Sequence, residues 1–372
     1  MQLRNKEKLA YYSALTLLFS YAEFLLPHLP FLKLGLGNIV ILLALDFAPL
    51  DFISLLVLKS VTSSFISGTL FSPFFLISFC QSLGAGSLMY LISIANRRLF
   101  KEMLFSVYGI SLCGAAASSY IQIVCAALYL GKEVYNILGF MLLFSLFSGL
   151  LTAFISTKFG IYKVPVIKGY ENKTKEKKKL DFLSIILVIL LIIVPFVIKS
   201  LWILTVLFAI LLIFQLLNKR KLRLLPHISL WIFIIFLSFF SGGGKVLLRL
   251  GEFTIYEAAF FDAVRKCLVL SSVICISQSA SKIRTRGTSV LGLTAAYFYS
   301  LMNLFYNTSG NVFYRIKRVL QQGELEYSEK EVTSSNVFIL LIIQLALFIL
   351  LLLADFNFPK ISQLCARLFN SF

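Results

Sequence analysis

Residues 137–181 read ILGFMLLFSLFSGLLTAFISTKFGIYKVPVIKGYENKTKEKKKLD. Up to residue 158 the stretch is apolar and long enough to cross a bilayer, which takes about 20 such residues. The pattern then reverses. Lys163, Lys168, Lys173, Lys175, Lys177, Lys178 and Lys179 crowd a polar segment with no hydrophobic periodicity. An apolar run that ends in a lysine cluster marks a helix leaving the membrane on its cytoplasmic side. Residues 161–181 therefore read as a flexible cytoplasmic linker between two membrane halves. A polybasic run beside a bilayer also suits anionic lipid.

The composition supports this reading. Of 372 residues, 59% are hydrophobic and 14% charged, against about 25% charged in a soluble domain. An ordinary cytosolic enzyme, a disordered tail and a secreted disulfide scaffold are excluded, and an all-α polytopic membrane protein remains. Upstream, spans are expected near 9–27, 35–49, 52–71, 74–95, 104–130 and 137–158. The first follows Arg4, Lys6 and Lys8 and has no small-residue cleavage site, so it reads as a retained helix with a cytoplasmic N-terminus. Arg97, Arg98 and Lys101 follow the fourth span. Six spans place both basic clusters inside. The net charge of +18 is then explained by cytoplasmic loops, and no nucleic-acid partner is expected.

Beyond the linker, spans are expected near 182–199, 201–217 and 227–241, with Lys219, Arg220, Lys221 and Arg223 between the last two. A flexible turn, Gly242-Gly243-Gly244-Lys245, leads into an amphipathic stretch at 252–280, and 336–354 reads as a final span. Residues 288–307 are uncharged and long enough to cross. Crossing there would put Arg315, Lys317 and Arg318 outside, whereas keeping 281–333 cytoplasmic puts them inside with Lys282, Arg284 and Arg286. The segment is therefore read as a buried or re-entrant helix leading into an amphipathic cytoplasmic helix at 311–322. The total is ten or eleven spans.

Several chemistries have no residues to carry them. The six cysteines are scattered without a CxxC pair and read as small buried hydrophobes. Only His28 and His227 are present, which disfavours a histidine metal site. There is no phosphate-binding GxxxxGK[ST] loop, no GxSxG elbow and no HExxH. The five aspartates, Asp46, Asp51, Asp181, Asp262 and Asp355, nowhere pair within four positions, so no local carboxylate pair chelates Mg²⁺. Neither enzymatic activity nor a cofactor or metal is expected.

Charges inside spans are costly and point to function. Glu23, Asp46 and Lys59 fall in the first, second and third spans. Lys59 reads either as an ion-pair partner of Glu23 or Asp46 that fixes packing, or as a cation facing a ligand. Before the second span comes Pro30-Phe31-Leu32-Lys33-Leu34-Gly35-Leu36-Gly37-Asn38. Gly35 and Gly37 permit close backbone approach, and a helix starting there would offer N–H groups to an anion. The alternative is a tight loop with Lys33 reaching the interface. The fourth span carries Gln81-Ser82-Leu83-Gly84-Ala85-Gly86-Ser87, and the fifth carries Gly114 to Gln122. Small residues of this kind serve close helix packing. Ser118 and Gln122, four apart, share a helix face, and with Ser119 and Gln81 they would line a polar pocket.

These residues resemble the Gx transporter family, also known as heptaprenyl diphosphate synthase component I, which is similar to the substrate-binding S components of energy-coupling-factor (ECF) vitamin transporters. The family's Pro-x-Leu-Lys-Leu-Gly-Leu-x-Asn signature appears as Pro30, Leu32 to Leu36 and Asn38. Its Ser-Leu-x-Gly patch appears around Ser82 to Gly86. Its Gly-Ala-x-x-His-Asn-x-x-Gln patch appears as Gly114, Ala115 and Gln122, with Ser118 and Ser119 in place of His and Asn. The resemblance covers about 1–160 and implies a six-span substrate-binding domain. Together with the polar residues read above, the candidate substrate-binding set is Lys33, Gly35, Gly37, Asn38, Lys59, Gln81, Ser118, Ser119 and Gln122.

Residues 182–372 resemble a shortened T component, the transmembrane coupling subunit of the same transporters. The likeness lies in the order of spans, an amphipathic segment, Ser277-Gln278-Ser279-Ala280-Ser281, cytoplasmic helices and a last span. T components carry two Ala-Arg-Gly/Ser motifs that dock ATPases, whereas here a single Thr285-Arg286-Gly287 is found. The resemblance gives coupling roles to Arg284, Arg286, Gly287, Arg315 and Arg318. An S-like half fused to a T-like half resembles proteins associated with Rnf-type electron-transfer complexes and extracellular flavinylation. That implies a multi-pass protein of the bacterial cytoplasmic (inner) membrane moving a small vitamin-like solute, with flavin the best guess. Its partners would be a separate ATPase or Rnf and flavin-transferase proteins. The alternatives are a noncatalytic accessory protein of isoprenoid or quinone metabolism, and a structural subunit of a redox complex.

Overall fold

The structure, a computed structural model, describes residues 2–25, 35–67, 69–70, 72–99, 104–158, 164–168, 178–217, 224–241, 245–250, 253–280, 290–321, 324–326, 344–351 and 353. In chain order the helices are α1 (Gln2–Leu25), α2 (Gly37–Leu43), α3 (Pro49–Ser67), α4 (Pro73–Leu99), α5 (Val107–Leu130) and α6 (Leu138–Lys158). A 3₁₀ turn, Lys132–Ile137, separates the last two. Strand β1 (Val166–Lys168) follows, then α7 (Lys178–Val197), α8 (Leu201–Leu217), α9 (Leu224–Ser238), β2 (Val246–Leu250), β3 (Phe253–Tyr256) and α10 (Glu257–Ala280). The chain continues through α11 (Val290–Asn307), α12 (Val312–Gln321) and β4 (Glu324–Glu326). Residues 344–351 are helical as well.

Local sequence explains where the helices begin and end. Proline opens α3 and α4, where its missing N–H is no loss. Ser106 caps α5 by accepting from the Gly109 N–H at 3.3 Å. Gly131, at φ +103°, ends that helix in a conformation that favours glycine. Arg97 and Arg98 occupy the last turn of α4, where the helix dipole favours cations. Among the described residues, three segments are long and apolar enough to cross a membrane: Pro73–Leu99, Val107–Leu130 and Lys132–Lys158. Ile186–Val197, Leu201–Leu216 and His227–Ser238 are shorter apolar helices. The chain is a predominantly helical membrane protein.

Contacts divide the chain into two compact units. The first comprises Met1–Ile66, Phe74–Lys175 and Thr285–Glu331, and the second comprises Ser67–Pro73, Glu176–Arg284 and Val332–Phe372. The half expected at 182–372 is thus split, with α11, α12 and β4 belonging to the first unit.

The first unit departs from the six expected spans at 35–49. Only Gly37–Leu43 is helical there, which at 1.5 Å per residue is about 10 Å, a third of the hydrocarbon thickness. Residues 39–42, 44 and 45 are apolar because they are buried against protein. Hydropathy does not distinguish that burial from lipid. Helix α1 is buried at every position from 10 to 19. One side, with Thr16 and Ser20, meets α2 at Gly37. Another meets α11, where the Tyr11 ring lies 5.5 Å from that of Tyr297 and the Tyr21 and Tyr306 hydroxyls are hydrogen-bonded. These pairings make α1 and α11 parallel. From Gly310, at φ +119°, the chain turns back: Arg315 lies 5.7 Å over the Phe305 ring. Helix α12 buries Ile316, Val319 and Leu320 and exposes Lys317 and Arg318, the amphipathic pattern expected at 311–322. Strand β4 pairs in parallel with β1 through Val166↔Glu324, Ile167↔Leu325 and Lys168↔Glu326, so part of the expected linker is ordered.

One end of this unit is bound by a polar network. Arg97 meets Asp46 at 2.6 Å and donates to the Leu45 carbonyl at 2.7 Å and to Ser93 Oγ at 2.9 Å. Asn96 Oδ1 accepts from the Leu104 and Phe105 N–H groups. Tyr90 donates to the Phe47 carbonyl at 2.8 Å, and Lys8 lies 4.3 Å over the Phe47 ring. The Asp46 side chain is 85% exposed, so its ion pair contributes under about 1 kcal/mol. Arg97 also satisfies a backbone carbonyl. We expect Asp46→Ala to leave the thermal midpoint in detergent nearly unchanged, and Arg97→Ala to cost about 1–2 kcal/mol. Equal effects would show that the ion pair alone carries Arg97.

In the second unit, α10 packs against α7, α8 and α9. It is buried at 263 and at every position from 267 to 277, so it is a central helix and not the amphipathic stretch expected at 252–280. Strands β2 and β3 form an antiparallel hairpin that leads into it. Residues Gly242, Gly243 and Gly244 lie outside the described residues. Of the expected span at 336–354, residues 344–351 and 353 are described, and Gln344 and Phe348 are buried.

Candidate functional site

Two polar clusters form inside the first unit. The first centres on the start of α2. Gly35 adopts φ +69°, which points its N–H and that of Leu36 toward α1. Glu23 accepts both, through Oε1 at 2.9 Å and Oε2 at 3.0 Å. The donors expected to receive an external anion are therefore taken by the chain's own carboxylate. Next to them, Lys59 on α3 donates through Nζ to Asn38 Oδ1 at 2.6 Å. Of the ion-pair partners considered for Lys59, Asp46 lies in the network at the Arg97 end. Gly37 allows the approach: a Cβ there would sit 2.8 Å from Ser20 Oγ and 3.6 Å from Lys59 Cε.

The second cluster joins α4 to α5. Gln81 donates through Nε2 to Ser118 Oγ at 2.6 Å and to Gln122 Oε1 at 3.3 Å. The shared face expected from the spacing of Ser118 and Gln122 is present, with Gln81 across from it. Ser119 is buried and lies about 100° further round the helix.

Counted along their helices, the two clusters lie at similar distances from one end of the unit. Lys8, Phe47, Arg97 and the Asn96–Phe105 contacts mark one end of the unit. At 1.5 Å per residue, Glu23 is about 22 Å from Lys8 along α1, Gln81 about 24 Å from Arg97 along α4, and Ser118 about 18 Å from Ser106 along α5. In a membrane interior such groups must hydrogen-bond one another or a solute.

Lys33, Arg284, Arg286 and Gly287 lie outside the described residues. Arg315 donates to the Gly310 carbonyl at 2.8 Å, which ties it to the α11–α12 turn, and Arg318 is exposed. Sequence reasoning missed two features. Glu23 was visible as an intramembrane charge, but its backbone partners were not. Cys80, read as a small buried hydrophobe, is exposed one position from Gln81. Among the described residues, no three His, Cys, Asp or Glu side chains converge on a metal position.

The comparisons with known proteins bear on both units. Residues 12–159 match the profile of heptaprenyl diphosphate synthase component I. This agrees with the resemblance read from Pro30 to Asn38. Residues 178–283 match a domain of unknown function (DUF8519). No curated protein and no solved structure matches the chain. The first part of the chain is thus similar to a transporter-like membrane family, and the match covers both polar clusters.

Proposed function

We propose that the chain is a noncatalytic subunit of an ECF-type transporter, which holds a small vitamin-like solute in its first unit and couples that binding to movement through its second. The solute we favour is a flavin, supplied to extracellular flavinylation or Rnf-type redox systems from the bacterial cytoplasmic membrane, with the N-terminus inside. A separate ATPase, or Rnf and flavin-transferase proteins, would be its partners. The observation that carries this reading is the pair of hydrogen-bonded polar clusters, Glu23–Asn38–Lys59 and Gln81–Ser118–Gln122, among apolar helices of the first unit. Amide, hydroxyl and ammonium groups there suit the hydrogen-bonding edge of a planar heterocycle.

The test is direct. Protein purified in mild detergent and then denatured should release stoichiometric flavin, detected by absorbance and mass spectrometry. Riboflavin added back should bind saturably, and Lys59→Met, Asn38→Ala and Gln122→Ala should each weaken binding by about tenfold, or ~1.4 kcal/mol. Unchanged affinity in all three removes the site. The description of the matching family favours a second reading, an accessory protein of isoprenoid metabolism. Release of a prenyl diphosphate in place of flavin would select it. Stable co-purification with redox subunits and no ligand would select a structural role.

A further inference from the structure

The second unit contains a buried polar seam that the solute site does not use. Ser271, Cys275 and Gln278 lie at i, i+4 and i+7 on one face of α10. Each meets a polar side chain of a neighbouring helix. Trp231 Nε1 on α9 donates to Ser271 Oγ at 2.9 Å. His227 Nε2, also on α9, lies 3.9 Å from Cys275 Sγ. Gln215 Nε2 on α8 donates to Gln278 Oε1 at 2.7 Å. The apolar wall is Phe208, whose ring is 5.8 Å from that of His227 and 6.2 Å from that of Trp231.

Cross-linking of helices alone does not account for this seam. His227 is 5% exposed and Ser272 fully buried, yet among the described residues His227 Nδ1 and Ser272 Oγ have no hydrogen-bond partner. A structural bridge would be expected to satisfy both ring nitrogens. The side chains of the seam meet one another directly, so the ligand that needs no added room is a proton. Imidazole is the side chain whose charge changes near neutral pH, and histidines inside membrane bundles serve proton relays.

We propose that His227 is a protonation site within the second unit, and that its proton is linked to solute movement. With Nε2–H directed at Cys275 Sγ, Nδ1 holds the lone pair that takes a proton from water, and the neutral ring becomes an imidazolium with both N–H groups present. Among the described residues, the titratable group facing it is Cys275. Helices α8 and α9 and residues 344–351 carry no other ionisable side chain, and α7 carries its ionisable residues only at Lys178, Lys179 and Asp181. On α10, the Asp262–Lys266 pair, at 2.6 Å, and Arg265, which donates to the Ile198 carbonyl at 3.2 Å, lie two to four turns before Cys275. The link to movement rests on the transport reading, whereas protonation does not.

The chain has two histidines, so full-length protein labelled with ¹⁵N-histidine in nanodiscs gives two imidazole signals, and His28→Gln leaves that of His227. We expect it to gain one proton as the pH is lowered from about 8 to about 4, to shift its midpoint in Cys275→Ser and to disappear in His227→Gln. A signal that does not move across this range overturns the proposal, as does a titration indifferent to Cys275→Ser. Cys275→Ser, which puts a hydroxyl oxygen in place of the thiol sulfur as acceptor, serves as the test if His227→Gln does not fold. In proteoliposomes with riboflavin as the probe, an imposed pH gradient should accelerate uptake severalfold in the wild type and not in His227→Gln. Equal acceleration overturns the link. If riboflavin enters in neither, the transport reading fails, and the titration decides protonation by itself.

Discussion

Replacing Gly149 with leucine should all but abolish recovery of folded protein. Gly149 lies on α6 where it faces α5. A Cβ there would sit 3.0 Å from Ala115 Cβ, 3.3 Å from the Ser111 carbonyl oxygen and 3.4 Å from Leu112 Cα. Two of these are backbone atoms of a helix that cannot move locally. The close approach is also bonded: Ser111 Oγ donates to the Gly149 carbonyl at 2.8 Å and meets Thr152 Oγ1 at 3.0 Å. A leucine must separate the two helices and break both contacts. We expect a loss of about 3 kcal/mol or more from overpacking and a smaller one for Gly149→Ala. Gly86 and Gly114 give the contrast, because a Cβ there meets the flexible ends of Leu56 and Met89. Alanine at either should be better tolerated than at Gly149. Size-exclusion yield and thermal midpoint in detergent check the order. A wild-type midpoint for Gly149→Leu would mean that α5 and α6 do not approach so closely.

The second large effect is expected at Glu23. Glu23→Ala leaves the N–H groups of Gly35 and Leu36 without their acceptor, and each unsatisfied donor costs about 1–3 kcal/mol where water is excluded. The turn into α2 then loosens, and Asn38, which holds Lys59 at 2.6 Å, is displaced with it. Stability and riboflavin affinity should therefore fall together. Glu23→Gln keeps one acceptor oxygen and should lose roughly half as much. If Glu23→Ala lowers the thermal midpoint but binds riboflavin as tightly as wild type, the start of α2 is a structural joint outside the solute site.

How much of this was legible in the sequence depends on whether the determining interaction was local. Ser118 and Gln122 could be placed on one face because helix periodicity dictates it, and Gln81 was available on the preceding span. The Pro30–Asn38 stretch stood out for its glycines and its lysine. Glu23 stood out as a costly charge, but nothing in local spacing says that a carboxylate will cap a turn twelve residues later. The misread span at 35–49 has a physical cause: an apolar run buried by protein and one buried by lipid have the same hydropathy. Helix α11 buries Tyr297, Phe298, Leu301 and Phe305, yet its partner α1 lies at the other end of the chain, and an apolar pattern does not name its partner. The buried seam of α10 was obscured for a related reason, because its polar residues mimic the polar face of an amphipathic helix.

The pairing of α1 with α11 also has a consequence in time. A ribosome releases α1 first, but the helix that covers its Tyr11 and Tyr21 side is made only after residues 176–284 have been completed. At about 5–20 residues per second, Tyr11 waits roughly 15 to 60 s for Tyr297. During that interval one side of α1 must rest against lipid, an insertion factor or a chaperone. Chains halted before α11 would present that side as a marker of incomplete synthesis, available to the quality-control proteases of the membrane.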